Sequence, residues 1–148
     1  MTEEAANTAK LKDCYDQWNA SKGGSIDTWM GILADDIDFR SLAMGCDPSV
    51  GFTRPRSSRA EVRGYLEELV RDWEMIHFTV DNYIAQGDCV AAIGSTAWRH
   101  RGSGKEVETQ KADIWRFRDG KAIAFFEFYD TAAMLEAAGS GAMGSGAA

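Results

Sequence analysis

Two carboxylates sit among aromatic rings in the stretch "ADIWRFRDGKAIAFFEFYD", residues 112–130: Asp113 and Glu127. Carboxylates are seldom buried without a partner or a purpose. Two of them in one apolar enclosure share a proton, because each raises the other's affinity for it. The protonated member can donate to a developing enolate while the other moves a proton. The bland alternative is an ordinary pairing of one carboxylate with Lys111 or Arg99 across a sheet.

The elements around these residues decide which way they point. Runs of β-branched and aromatic residues on both sides of Arg118-Asp119-Gly120 predict a hairpin. A two-residue Asp119-Gly120 turn pairs Arg118 with Lys121 and places Asp113 and Glu127 on opposite faces. A three-residue loop, with Gly120 left-handed, pairs Phe117 with Lys121 and puts the two carboxylates diagonally together on one face. One residue of slip separates the two outcomes, and the local pattern favours neither.

Upstream, Leu11, Cys14/Tyr15 and Trp18 share one face of a helix over residues 3–20. A second helix opens at Ser25, with Ile26, Trp29/Met30 and Leu33 in phase. "DIDFRSL" alternates as a short strand. Residues 43–58 carry both prolines and read as one long loop, of the kind that binds or closes over ligands. Ser58 and Glu61 form a capping-box pattern, and the helix after it carries Val62, Leu66, Leu69/Val70 and Trp73 on its inner stripe. Four strands follow, at about 75–85, 89–101, 105–117 and 121–130, and then a short helix from "TAAMLEAA". The order predicts one α+β domain over residues 3–137 and a flexible Gly/Ala/Ser tail at 138–148. Its antiparallel sheet curves, and helices on the concave face leave a cone-shaped roll. The last two strands are apolar on both faces, with Ile114, Phe126 and Phe128 on one and Trp115, Phe117, Phe125 and Tyr129 on the other. A second cover is therefore expected, and a homodimer through the outer sheet face supplies it.

The chain has 148 residues and a formal net charge of −7. That balance disfavours nucleic acid and anionic membrane surfaces as partners. No run approaches the roughly 20 apolar residues of a membrane span, and the acidic start lacks a signal-type apolar stretch, so a cytoplasmic location is expected. The three cysteines, Cys14, Cys46 and Cys89, have no CxxC spacing and read as free thiols. His77 and His100 are the two histidines; with no ligand cluster at metal spacing, neither a metal nor another cofactor is expected. Tyr15, Trp18, Trp29 and Trp73 fall at core spacing, but in a cone the core and the pocket wall are one surface. Tyr129, Phe125 and His77 join them as candidate substrate contacts. Arg54, Arg56 and Arg59 cluster in and after the long loop, suited to a solvated loop or to a mouth for an acidic substrate.

The element order, "ADD" entering the first strand and the ending "DIWRFRDGK…FYD" resemble the ketosteroid isomerase and SnoaL-like polyketide cyclase group of the nuclear-transport-factor-2-like superfamily. The resemblance covers about residues 8–137. It implies a cone-shaped fold around a small apolar ligand and cofactor-independent acid–base chemistry, isomerisation or cyclisation of a carbonyl compound. It also implies an inward Asp113, held protonated to bind an oxyanion, which favours the three-residue loop. The group's general-base Asp falls on Ser41, and its oxyanion Tyr on Cys14, with Tyr15 about 100° of helix away. Glu127 matches an Asp of the limonene-epoxide-hydrolase branch, whose Arg-x-Asp partners fall on Gly94 and Thr96. The resemblance thus makes Asp113 the leading acid/base and Glu127 its assistant. Two other readings stand beside it: a non-catalytic ligand-binding or dimerisation module, and, with less behind it, an epoxide-type hydrolase acting through Glu127.

Overall fold

The computed structural model describes residues 1–46 and 51–139. The predicted tail at 138–148 lies outside the described residues except for Ala138 and Gly139, and part of the predicted loop, residues 47–50, lies outside them too.

Helix α1 spans Glu3–Ala20 and starts where Thr2 Oγ1 accepts the Ala5 N–H at 3.0 Å. Asn7, Leu11, Cys14, Tyr15 and Trp18 are its buried stripe. Helix α2 is one short turn, Ile26–Met30. Leu33, expected in phase with that helix, instead begins strand β1, Leu33–Ser41. The long-loop region contains more structure than expected: a 3-10 turn at Gly51–Thr53 and a three-residue strand β2, Arg56–Ser58. Both were hidden because Gly/Pro-rich composition masks short pairings that only a neighbouring strand makes worthwhile. Helix α3, Arg59–Asp72, begins with Ser58 Oγ accepting from Glu61 N at 3.1 Å. The Glu61 carboxylate reaches back to the Ser57 N–H at 2.7 Å, a capping box displaced by one residue. Strands β3 (Trp73–Gln86), β4 (Cys89–His100), β5 (Glu106–Arg118) and β6 (Lys121–Tyr129) form the meander, and α4 (Thr131–Ala137) is capped by Asp130.

The six strands make one curved, unclosed sheet in the order β2-β1-β6-β5-β4-β3. β1 returns beside β6 in parallel, while the other neighbours are antiparallel. The helices pack on the concave face, and the core of aromatic and aliphatic side chains lies between. Curvature has a visible cause. The β3–β4 ladder slips by one residue between Met75 and His77 and again between Val80 and Asn82, and each bulge bends the sheet.

Gly94 sits beside the second of these bulges. A Cβ there would lie 1.8 Å from the Thr79 carbonyl oxygen and 2.8 Å from Val80 Cα. Glycine lets the bent β3 backbone approach β4 this closely. Gly94→Ala forces a backbone shift and is expected to cost about 1–3 kcal/mol in urea unfolding, whereas Gly64→Ala, with nothing within 4 Å of the new Cβ, is expected to leave stability unchanged or to raise it.

Candidate active site

The hairpin that decides the carboxylates follows neither expected register. Asp119 and Gly120 both have positive φ, 52° and 79°, and Arg118 pairs with Lys121. This is the two-residue turn, which alone would have separated Asp113 from Glu127. One residue later the ladder slips: Phe117 pairs with Ala122 but Arg116 pairs with Ala124, leaving Ile123 as a bulge. The backbone beside the bulge bonds the residues just ahead of the strands on either side. The Phe117 N–H bonds the Asp88 carbonyl at 2.9 Å and the Ala122 N–H bonds the Ile32 carbonyl at 2.8 Å. The bulge restores the lost residue of register. From there on Trp115 faces Phe125 and Asp113 lies directly opposite Glu127, both on the concave face and 2 % and 6 % exposed.

Between them lies Lys111, two residues before Asp113 and hence on the same face. Its ammonium donates to Asp113 Oδ1 and, at 2.6 Å, to Glu127 Oε2. The rings of Phe78, Phe125 and Tyr129 surround it, with centroids 5.5, 5.6 and 5.8 Å from Nζ. Burial works against the Lys111 charge, but the two carboxylates outweigh it and its pKa rises. The Tyr15 hydroxyl donates to Asp113 Oδ2 and accepts from Trp115 Nε1 at 2.9 Å. Tyr65 OH lies 3.5 Å from Glu127 Oε1. Burial first, and the neighbouring carboxylate second, push both tyrosines well above their ordinary range. Glu127 is raised as well, by burial and then by Asp113, against the lowering pull of Lys111.

The two carboxylates are not equivalent. Both Asp113 oxygens are engaged, one by the Tyr15 hydroxyl and one by the Lys111 ammonium. Glu127 has one oxygen on Lys111 and only a long contact at the other.

These groups form one side of a cavity of about 80 Å³, in a measure by which a single water needs roughly 10–15 Å³. Tyr15, Trp18, Trp29, Asp113, Phe125, Glu127 and Tyr129, all expected at the site, line it. Trp29 stacks on Trp115 with centroids 5.5 Å apart and planes 4° from parallel. Trp73 and His77 do not line it. Trp73 is buried edge-on to His100 at 4.8 Å. His77 lies on the convex face, its ring within 3.2 Å of Thr79 Oγ1 and 3.1 Å of Glu108 Oε2; the bulge between Met75 and His77 takes it off the face of the buried Met75. Tyr65 and Trp115 line the cavity without having been named as contacts, and Lys111, expected as a pairing partner of one carboxylate, lines it and pairs with both. Lys-x-Asp in a strand was the available signal for Lys111, and Tyr65, three residues after Val62, shares its helix face. Arg99 is engaged elsewhere, 3.8 Å from Glu74.

The remaining alignment positions are now placed. Cys14 turns from the cavity toward the Thr28 carbonyl, 3.7 Å away, and burial pushes its thiol up to about 12. Ser41 pairs with Glu127 across β1 and β6, and its hydroxyl accepts the Ala43 N–H at 3.1 Å. Arg59 bonds Asp35 at 2.6 Å, and Arg54 and Arg56 each lie 3.6 Å from Glu68. All three arginines therefore already have a carboxylate. The described cysteines are free, and no set of three or more His, Cys, Asp or Glu side chains converges on a metal position among the described residues.

The Glu127 shift has a stability consequence of definite sign. A carboxyl that holds its proton more tightly when folded makes the folded state bind more protons. The Glu127 contribution to stability is then greatest below the unfolded value of 4.5, is lost as pH rises through the folded value, and is level above it. Urea unfolding at a series of pH values is expected to show this fall in the wild type and a shallower one in Glu127→Gln.

A profile of the SnoaL-like domain matches residues 11–125. No curated protein matches the chain. Among solved structures, a nuclear-transport-factor-2-like protein from Burkholderia thailandensis is 22 % identical, with a TM-score of 0.75 over 93 % of this chain and 98 % of that one. A protein named as a SnoaL-like polyketide cyclase, from Jannaschia sp. CCS1, is 16 % identical, with a TM-score of 0.74 over 93 % and 94 %. A ketosteroid isomerase-like fold from Catenulispora acidiphila, solved in complex with trimethylamine, is 16 % identical, with a TM-score of 0.66 over 82 % and 88 %. The curved sheet, the concave cavity and a profile match over most of its length place this chain in the SnoaL-like domain family.

Proposed function

We propose that the chain is a cofactor-independent acid–base enzyme acting on a small apolar carbonyl compound, by isomerisation or aldol-type cyclisation. The observation that carries this is the pair of buried carboxylates, face to face across β5 and β6, bridged by one lysine at an aromatic cavity. An apolar wall holds the substrate by area, and a few convergent polar groups fix its orientation.

Roles follow from which oxygens are engaged. Glu127 Oε1 has the spare acceptor capacity, and its raised pKa brings it toward the range in which a general base works best. Asp113 holds Tyr15 and Lys111 in place. The resemblance ranked the two carboxylates in the opposite order; the hydrogen-bond geometry favours Glu127 as the group that moves the proton. Tyr15, Trp18, Trp29, Phe125 and Tyr129 form the substrate-contacting wall.

A second reading, a binding module without chemistry, draws on the ion pairing itself, since a lysine between two carboxylates is also a complete structural unit. The name of the Catenulispora neighbour's complex shows a small ligand on a similar fold. We also propose that the outer sheet face is covered by a second copy. Phe126 and Phe128 meet there with centroids 4.9 Å apart, Phe128 is 44 % exposed and Ile84 60 % exposed.

Both proposals can be checked directly. In deuterated water, a panel of cyclic ketones is expected to include members whose α-protons exchange faster with the protein than without it. Glu127→Gln is expected to lower that acceleration by about 100-fold or more, and Asp113→Asn by less. No acceleration for any member, or full acceleration in Glu127→Gln, sinks the catalytic reading in favour of the binding module. For the outer face, Phe126→Asp/Phe128→Asp is expected to halve the mass seen by analytical ultracentrifugation; a wild-type monomer removes the dimer.

A further inference from the structure

We propose that Lys111 is the residue that receives the substrate's oxygen, and that the substrate class is one able to hold negative charge there as an enolate: an enolisable ketone or a 1,3-dicarbonyl. This rests on the acid–base reading above and specifies its electrophile.

Lys111 is the single cation among the described residues lining the cavity. An ammonium carries three N–H donors. Asp113 Oδ1 and Glu127 Oε2 take two, and ring faces, which offer no oxygen, border the rest. One N–H thus remains without an oxygen among the described residues. Four of the cavity's hydroxyls are directed elsewhere: Tyr15 to Asp113, Tyr65 to Glu127, Thr96 to the His77 carbonyl at 2.9 Å, and Thr109 to the Gln110 carbonyl at 2.8 Å. An oxygen entering this space meets its strongest donor at Lys111 Nζ, fixed in advance by two ion pairs and three rings. Such preorganised charge is what stabilises an oxyanion as it forms.

The charges balance through the step. Before it, one ammonium faces two carboxylates, a net charge of minus one. Glu127 Oε1 takes the proton from the carbon beside the carbonyl. The C–H electron pair becomes the new C=C bond, and the carbonyl π pair moves onto the oxygen at Lys111. Glu127 is then neutral and the enolate carries its charge, so Lys111 still faces two anions. Return of the proton to a different carbon completes an isomerisation. Attack of the enolate carbon on a second carbonyl, whose oxygen takes the Glu127 proton, completes a cyclisation. No oxidant or further reactant is required.

The test uses the full chain labelled with 15N-lysine and 1,3-cyclohexanedione as the probe. Addition of the dione is expected to move the Lys111 ammonium resonance and to give the ultraviolet spectrum of the bound enolate. Methylcyclohexane is expected to leave that resonance in place. Lys111→Met is expected to weaken dione binding by about tenfold to hundredfold, the range for a hydrogen bond to a charged group. Because that variant strands two buried carboxylates, Lys111→Met/Asp113→Asn is compared with Asp113→Asn alone, and the same loss is expected. A motionless Lys111 resonance, equal dione affinity in those last two variants, or trimethylammonium bound at Lys111 in preference to the dione overturns the proposal. The two readings fail separately. If Glu127→Gln retains full exchange activity while the dione still moves Lys111, the acid–base role falls and the oxygen site stands. If Glu127→Gln abolishes exchange and Lys111 stays unmoved, the oxygen site falls and the acid–base role stands.

Discussion

The interior of this domain is arranged around one buried ammonium. Lys111 lies between Asp113 and Glu127 under three aromatic rings, and each neighbour depends on it. Removing a partner from a buried ion pair typically costs about 3–5 kcal/mol, because the remaining charge is left in a medium that solvates it poorly. Replacing the whole group with hydrocarbon is often neutral, so stability alone does not account for such a cluster. What it supplies is fixed polarity: oxygens and N–H groups of known direction beside a cavity otherwise walled by rings.

That arrangement depends in turn on a single extra residue. The tight Asp119-Gly120 turn starts β6 in the register that would carry Glu127 to the convex face, and the Ile123 bulge returns it to the concave one. The bulges of β3 and the closeness of β3 to β4 at Gly94 bend the same sheet into a concave surface. α1 then lays Tyr15 over Asp113, and α3 brings Tyr65 to Glu127. Curvature and register are therefore part of the chemistry: a flat sheet has no cavity, and an unslipped ladder has no carboxylate pair.

The relation to the ketosteroid isomerase-like pattern is one of shared framework and altered contents. The positions where the resemblance implied a tyrosine, a general base and an Arg-x-Asp pair hold Cys14, Ser41, Gly94 and Thr96. The polar groups this cavity does hold include Tyr15, one residue along the helix from Cys14, and Lys111, a cation at the centre of the cluster. A fold of this kind hosts many activities because the sheet and helices hold the cavity while individual side chains set its polarity.

The sequence by itself determined the α+β order, the helical stripe that includes Tyr15 and Trp18, the cap at Ser58 and the aromatic lining at Phe125 and Tyr129. Each of these follows from local periodicity or local hydrogen bonding, which neighbouring residues suffice to specify. It also marked Asp113 and Glu127 as unusual, because charges among rings need an explanation wherever they point. Only the tertiary structure decided that they face one another. Neither simple turn gave the observed register, since it depends on a bulge at Ile123, beside which Ala122 and Phe117 bond the Ile32 and Asp88 carbonyls from distant parts of the chain. The same limit explains Trp73, which opens β3 instead of continuing the α3 stripe, and His77, which lies past a bulge at the start of that strand. It explains Lys111 as well: its place on the face was legible from Asp113, but its role at the centre of the cluster required Glu127, Phe125 and Tyr129 from the next strand and Phe78 from β3.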